Sequence, residues 1–163
     1  MGTRLLSESL IKSRYPHLRY VRIHTGGSHK ATIYAWNEQL QLPEEEIYEL
    51  KKFASDHLLP YVCFQVKAYP MIRQEQVPPV YELPEPITQA AMSRGLTLYG
   101  IVNIINDMFV NGEMTIHKYD SFRGVIHLKV QTATALTDIE KELIRQYLYE
   151  MVPLGSCFEV AYC

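Results

Sequence analysis

The stretch VRIHTGGSHKATIY, Val21 to Tyr34, and the stretch MTIHKYDSFRGVIH, Met114 to His127, run in the same frame. Ile23 falls on Ile116, His24 on His117, Ser28 on Ser121, Lys30 on Arg123 and Ile33 on Ile126, all at a spacing of 93 residues. The agreement continues through Glu49-Leu50 with Glu142-Leu143 and through Pro60 with Pro153. One residue added in PLGSCF relative to PYVCF then sets Cys63-Phe64-Gln65-Val66 against Cys157-Phe158-Glu159-Val160 at 94. Matches in one order over this length mark a duplicated structural unit, of which the two cysteine motifs are only the closing strands.

Local signals repeat in the same order. Leu5, Leu6, Ser9 or Leu10 and Lys12 give a helical pattern to Arg14, ended by Tyr15-Pro16 because the residue before proline avoids the α region. Leu98, Ile101, Val102, Ile104, Ile105 and Met108 give a clearer helix, expected to stop at Asn111-Gly112. Alternating runs follow, Tyr20 to His24 and Ala31 to Trp36, and Gly26-Gly27 supplies positive φ for the hairpin between them. The second copy uses KYDSFRG there. Pro43 with Glu44, Glu45 and Glu46 opens a helix whose apolar face is Ile47, Leu50, Phe53, Ala54, His57 and Leu58. Its counterpart opens on the capping box Thr137-Asp138-Ile139-Glu140, with Ile139, Leu143, Tyr147 and Met151 as its stripe. Strands Tyr61 to Ala68 and Cys157 to Tyr162 close the copies.

The fold class is therefore α+β, a tandem duplication of an αββαβ unit, each a small three-stranded sheet with two helices packed on one face. The first repeat occupies 1–69, a Pro-rich connector 70–96 and the second repeat 97–163. The connector holds room for a short extended segment at Val80-Tyr81-Glu82 and a helical turn or two at Ile87 to Met92. The unit order resembles, in topology, BON domains and the ring-building modules of secretion and sporulation assemblies. That resemblance implies binding or assembly rather than catalysis. KH domains share part of the order, but their GxxG lies between helices, whereas TGGS here lies in a hairpin.

Composition narrows the function. With 47% apolar and 21% charged residues and a net charge of −2, the chain is of the soluble globular kind and has no overall basic field for nucleic acid or an anionic membrane. Its most apolar stretch, Leu96 to Val110, is too short for a bilayer and carries Asn103, Asn106 and Asp107. The first ten residues lack a secretory h-region, and three cysteines without a CxxC fit a reduced cytoplasm. No cofactor is expected. Ser28-His29 has no GxSxG elbow, TGGSHK leads into a strand and not the helix of a P-loop, and Glu44 to Glu46 are first-turn charges.

Strand alternation places Val21, Ile23, Ala31, Ile33, Phe64 and Val66 toward the helices. Tyr20, Arg22, His24, Thr32, Tyr34, Trp36, Cys63, Gln65 and Lys67 share the other face, as do Thr115, His117, Val125, His127, Lys129, Cys157, Glu159 and Ala161 in the second copy. The binding candidates are Arg22, His24, Tyr34, Trp36, His117 and His127. The leading reading is a non-enzymatic cytoplasmic protein acting by protein association, as an adaptor or a homo-oligomer, with no membrane. The alternatives are an enzyme or small-ligand binder with its site in the cleft between repeats, and a single-stranded nucleic-acid binder stacking bases on Tyr34 and Trp36. The histidines with Cys63 and Cys157 have no metal-ligand spacing, so no metal is expected.

Overall fold

Thr3 and Thr97 each end an extended segment and each turn a side-chain oxygen onto the third backbone N–H beyond, Leu6 at 3.2 Å and Gly100 at 3.1 Å. These N-caps start helices of equal length, α1 (Arg4–Arg14) and α4 (Leu98–Met108), and both helices end with the following residue donating to an isoleucine carbonyl, Ile11 or Ile105. The computed structural model that shows this describes residues 2–58, 62–68, 82–110 and 112–163. Helix α4 stops short of the expected Asn111-Gly112 because Phe109 leaves helical geometry and packs its ring on Tyr147, centroids 6.2 Å apart.

In the first unit α1 is followed by β1 (Tyr20–Gly27), β2 (Lys30–Trp36), α2 (Glu44–Phe53) and β3 (Cys63–Lys67). The second unit repeats this as α4, β4 (Gly112–Asp120), β5 (Val125–Thr132), α5 (Asp138–Met151) and β6 (Cys157–Tyr162). Each sheet has an antiparallel hairpin and a parallel third strand, in the orders β1-β2-β3 and β4-β5-β6. The parallel step requires a crossover, which α2 and α5 provide. Between the units the helical turns expected near Ile87 form a full helix, α3 (Glu85–Met92), whose Ile87, Ala90 and Ala91 are buried. Residues 70–81 of the connector, Val80-Tyr81 among them, and Pro60, Tyr61 and Tyr69 of the first repeat fall outside the described residues.

The register of the repeat differs from the sequence alignment. Ala31 pairs with Phe64 and Ile126 with Phe158, so Ile33 corresponds to Leu128 and not to Ile126. The cause lies in the hairpins. Gly27 pairs with Lys30 across a two-residue turn, whereas Asp120 pairs with Val125 across four residues. Positive φ is supplied by Ser28 (50°) and His29 (60°), as a tight primed turn needs, while Gly26 sits where the register slips between Thr25 and Gly27. With Pro43 and Thr137 as matching caps and Cys63 matching Cys157, helices and closing strands both stand 94 apart. No insertion before CFEV is needed.

Two cores result. Ile11, Val21, Ile23, Ile33, Leu50 and Phe64 centre the first; Ile101, Ile105, Met114, Ile126, Ile144 and Leu148 centre the second. Each such side chain contributes about 1.5–3 kcal/mol. In α5 the buried row is Ile144, Tyr147, Leu148 and Met151, while Ile139, placed in the stripe from sequence, is 75% exposed. A strict i+4 row drifts by about 40° per step and leaves the core within two turns. At the end of α2 the chain makes a π-helical turn, Ala54–Leu58, so His57 is exposed where its equivalent Met151 is buried.

Candidate functional site

The outer face of each sheet holds the residues that alternation assigns to it, but the two faces have different surroundings. On the first sheet Tyr34 and Trp36 are 3% and 8% exposed, and Tyr20 stacks on Trp36 with ring centroids 3.8 Å apart. Neither Tyr34 nor Trp36 offers a free ring to a base. Arg22 lies beside them, opposite Tyr34 in the register. His24 turns toward the second unit, its Nδ1 3.2 Å from the Tyr149 hydroxyl on α5. On the second sheet the face is open. His117 is exposed at the bulge between Ile116 and Lys118, and His127 Nδ1 lies 3.2 Å from the Glu159 carboxylate across β5 and β6. The six candidates are thus divided between two sheets.

The junction between the units gathers polar groups that the sequence reading did not single out. Arg4 on α1 donates to both oxygens of Glu150 on α5, at 2.9 and 3.0 Å, and also to Glu8 one turn on. The Glu8 carboxylate in turn accepts the Ile23 N–H at 2.8 Å. That N–H lies on the free edge of β1, and so does the Thr25 N–H, which reaches the Tyr149 hydroxyl at 3.3 Å. The exposed edge of a sheet is thereby covered by side chains. Asn106 does the same for β4, accepting from Met114 N at 2.7 Å and donating to its carbonyl at 3.0 Å.

Arg4, Glu8 and Glu150 are almost fully buried, so their charges have little water to lean on. Burial pushes the Glu8 carboxyl above its ordinary value, and Arg4 and the Ile23 amide only partly oppose it. For Arg4 burial works against the charge, but Glu8 and Glu150 outweigh it and hold the guanidinium pKa above its ordinary value. Burial also raises the Tyr149 phenol. Two carboxylates sharing one guanidinium act as a directional clamp. The signal for it is visible once the copies are set 94 apart: Arg4, Ser7 and Glu8 stand where α4 has Leu98, Ile101 and Val102.

Backbone contacts complete the junction. Leu154, from the segment between α5 and β6, is 1% exposed inside the first core and donates to the Gly2 carbonyl at 2.8 Å. Thr3 donates its hydroxyl to the Ala91 carbonyl of α3. His29 N donates to the Gly155 carbonyl at 2.9 Å. Gly155 has φ +84°, and a Cβ there would lie 3.0 Å from Val62 and 3.3 Å from the His29 backbone, so the close approach requires glycine.

Three grooves open beside α1 among the described residues: one of about 450 Å³ against Met92 of α3, one of about 320 Å³ against α2, and one of about 260 Å³ that shares His57 with the second. None of the three contains a sequence-selected candidate. Among the described residues no three His, Cys, Asp or Glu side chains gather as metal ligands, and no helix is long and apolar enough to cross a membrane. Cys63, Cys157 and Cys163 are free thiols.

No family model and no curated protein matches the sequence. Among solved structures the chain is similar to the periplasmic domain of the T3SS inner membrane protein PrgH from S. typhimurium. Against fragment 170–392 the identity is 17% and the TM-score 0.33, covering 95% of this chain and 66% of that one. Against fragment 170–362 the values are 17% and 0.35, with 99% and 69% covered. The chain thus spans about two thirds of the length of those domains.

Proposed function

We propose that the chain is a protein-association module, an adaptor or a self-assembling subunit, working without catalysis in a reducing cytoplasm. The observation that carries the reading is where apolar surface remains. Of nine large hydrophobic side chains standing in solvent among the described residues, six lie on the second unit: Tyr99, Val110, Tyr119, Phe122, Ile139 and Tyr162. The core of that unit is complete without them. Val110 adjoins Phe109, and Ile139 lies on the first turn of α5 just beyond Leu136; Phe109 and Leu136 line one small apolar crevice at that end. Aromatic and aliphatic groups that folding leaves unused are the surface a protein partner buries. The three free thiols support a reducing compartment.

The test is a photo-crosslinking residue placed singly at Tyr99, Val110 or Ile139 in the living cell, with the exposed polar positions Glu45 and Gln89 as controls. Discrete adducts at the first three positions and none at the controls are expected. No adduct at any position, or equal labelling at all five, overturns the reading.

A further inference from the structure

The end of the second unit where α4 leads into β4 and β5 leads into α5 differs from its counterpart in charge. It is built from 106–113 and 131–140, which contain Asp107, Glu113, Asp138 and Glu140 and no Lys, Arg or His. The corresponding stretches of the first unit, 12–20 and 37–46, mix Lys12, Arg14, His17 and Arg19 with four acids, and His17 lies 2.5 Å from Glu46. In the second unit Asp107, Glu113 and Asp138 are exposed, and none of the acids at that end makes an ion pair among the described residues. The next base along α5, Lys141, is turned to the Tyr162 ring, 4.8 Å from its centroid.

Folding accounts for neither the charge nor the apolar groups beside it. Asp107 lies in the last turn of α4, where the backbone carbonyls already present negative partial charge, and no base accompanies it; α1 has Lys12 and Arg14 in that turn. Ile139 is 75% exposed where α2 carries Glu45, and Val110, in the link from α4 to β4, is 85% exposed. The first unit closes this end with Leu18 and Leu42, both buried in its core. In the second unit Leu136 stands in the place of Leu42 and is only partly buried, and the apolar crevice lies between it and Phe109. Its free space is about 10 Å³, roughly what one water molecule needs, so it seats the tip of a side chain and not a small-molecule ligand.

Apolar side chains in solvent among unpaired carboxylates select what can cover them. Nucleic acid and an anionic membrane carry the wrong charge. A second copy brings a net charge of −2, and a two-fold contact through this end would set the same acids against each other. We propose that this end of the second unit docks a basic segment of a different protein. An aliphatic side chain of that segment lies on Val110 and Ile139 with its tip in the crevice, and flanking Lys or Arg side chains face Asp107, Glu113 and Asp138. The inference rests on the association reading and names the chemistry of its partner.

Selection from a displayed library of random short peptides, on the immobilised full chain, tests it. Enriched peptides are expected to carry net positive charge around a Leu, Ile or Val, and to bind more weakly as salt is raised. The triple variant Asp107→Asn, Glu113→Gln, Asp138→Asn and the double variant Val110→Ser, Ile139→Ser should each weaken that binding by about tenfold, with melting temperatures unchanged. Glu45→Gln, at the matching place on the first unit, should leave it as in wild type. Peptides that are neutral or acidic, peptides that bind both variants as tightly as wild type, or a library that enriches nothing overturn the docking, and the crosslinking experiment then decides the broader reading by itself. Self-association of the wild-type chain that the triple variant abolishes makes the occupant a second copy, which overturns the proposal as well.

Discussion

Helices α1 and α4 occupy the same place in their units, with threonine caps and equal lengths, yet they bury different chemistry. Ile11 and Ile105 face the core in both. One and two turns earlier α4 presents Leu98, Ile101 and Val102, whereas α1 presents Arg4, Ser7 and Glu8. Helix α4 has its own sheet to cover, and apolar side chains suffice. Helix α1 lies also against α3 and α5, and what it meets there is the Glu150 carboxylate and the Ala91 carbonyl. The two helices share caps and core contacts, while the face that α1 turns toward the other unit is polar, which sets orientation more sharply than apolar contact does.

The largest effect should come from breaking the clamp. Arg4→Ala leaves Glu8 and Glu150 buried without their cation and should lower the unfolding free energy by about 3–5 kcal/mol in urea titration. Giving α1 the apolar chemistry of α4, with Arg4→Leu, Glu8→Val and Glu150→Leu together, should recover most of that loss. A triple variant as unstable as Arg4→Ala would show that shape, not charge, makes the difference between the helices.

Leu154→Ala and Ile105→Ala should each remove about 2–5 kcal/mol, since both side chains are almost fully buried. They differ in location. Leu154 crosses from the second unit into the first core, so its loss should also speed hydrogen exchange at the His29 and Cys63 amides, and loss of Ile105 should not. Equal exchange in both variants would mean that the junction does not depend on Leu154.

Gly155→Ala, with φ +84° and Val62 at 3.0 Å, should cost about 1–3 kcal/mol in thermal melts. Gly95→Ala, whose added methyl meets nothing nearer than 4.0 Å, should stay within about 0.5 kcal/mol of wild type. The caps give a smaller contrast. Thr97→Ala should cost about 1 kcal/mol, and Thr3→Ala more, because Thr3 also bonds the Ala91 carbonyl.

The smallest effect is on pH dependence. Glu8 has a folded pKa raised above the unfolded value near 4.5, so folding favours its protonated form. Its contribution is fully present below the unfolded pKa and is lost as pH rises through the folded one. Stability of wild type minus that of Glu8→Gln should therefore fall as pH is raised from about 4.5 through the mildly acidic range. A flat difference would place the Glu8 pKa at its ordinary value.

Much of this was legible in the chain. The two copies, the ends of α1, the Thr137 cap, and the inner and outer strand faces follow from neighbours a few residues apart. Where reading failed, the deciding distances were long. The alignment put Ile33 on Ile126 because the turns differ by two residues, and only pairing with β3 and β6 shows it. Arg4, Glu8 and Glu150 were not singled out, since nothing local tells a solvated helix face from one buried against another unit. Conversely, Tyr34 and Trp36 looked like an open aromatic platform but are covered, while Phe122 stands free.

The sequence by itself determined that the protein is two αββαβ units, because hydrophobic period and turn chemistry act over a few residues and were written twice. The tertiary structure alone decided how the units meet. A buried ion pair 146 residues apart, a leucine lent by one core to the other and a glycine that admits a histidine depend on approach in space. They made the two copies unequal.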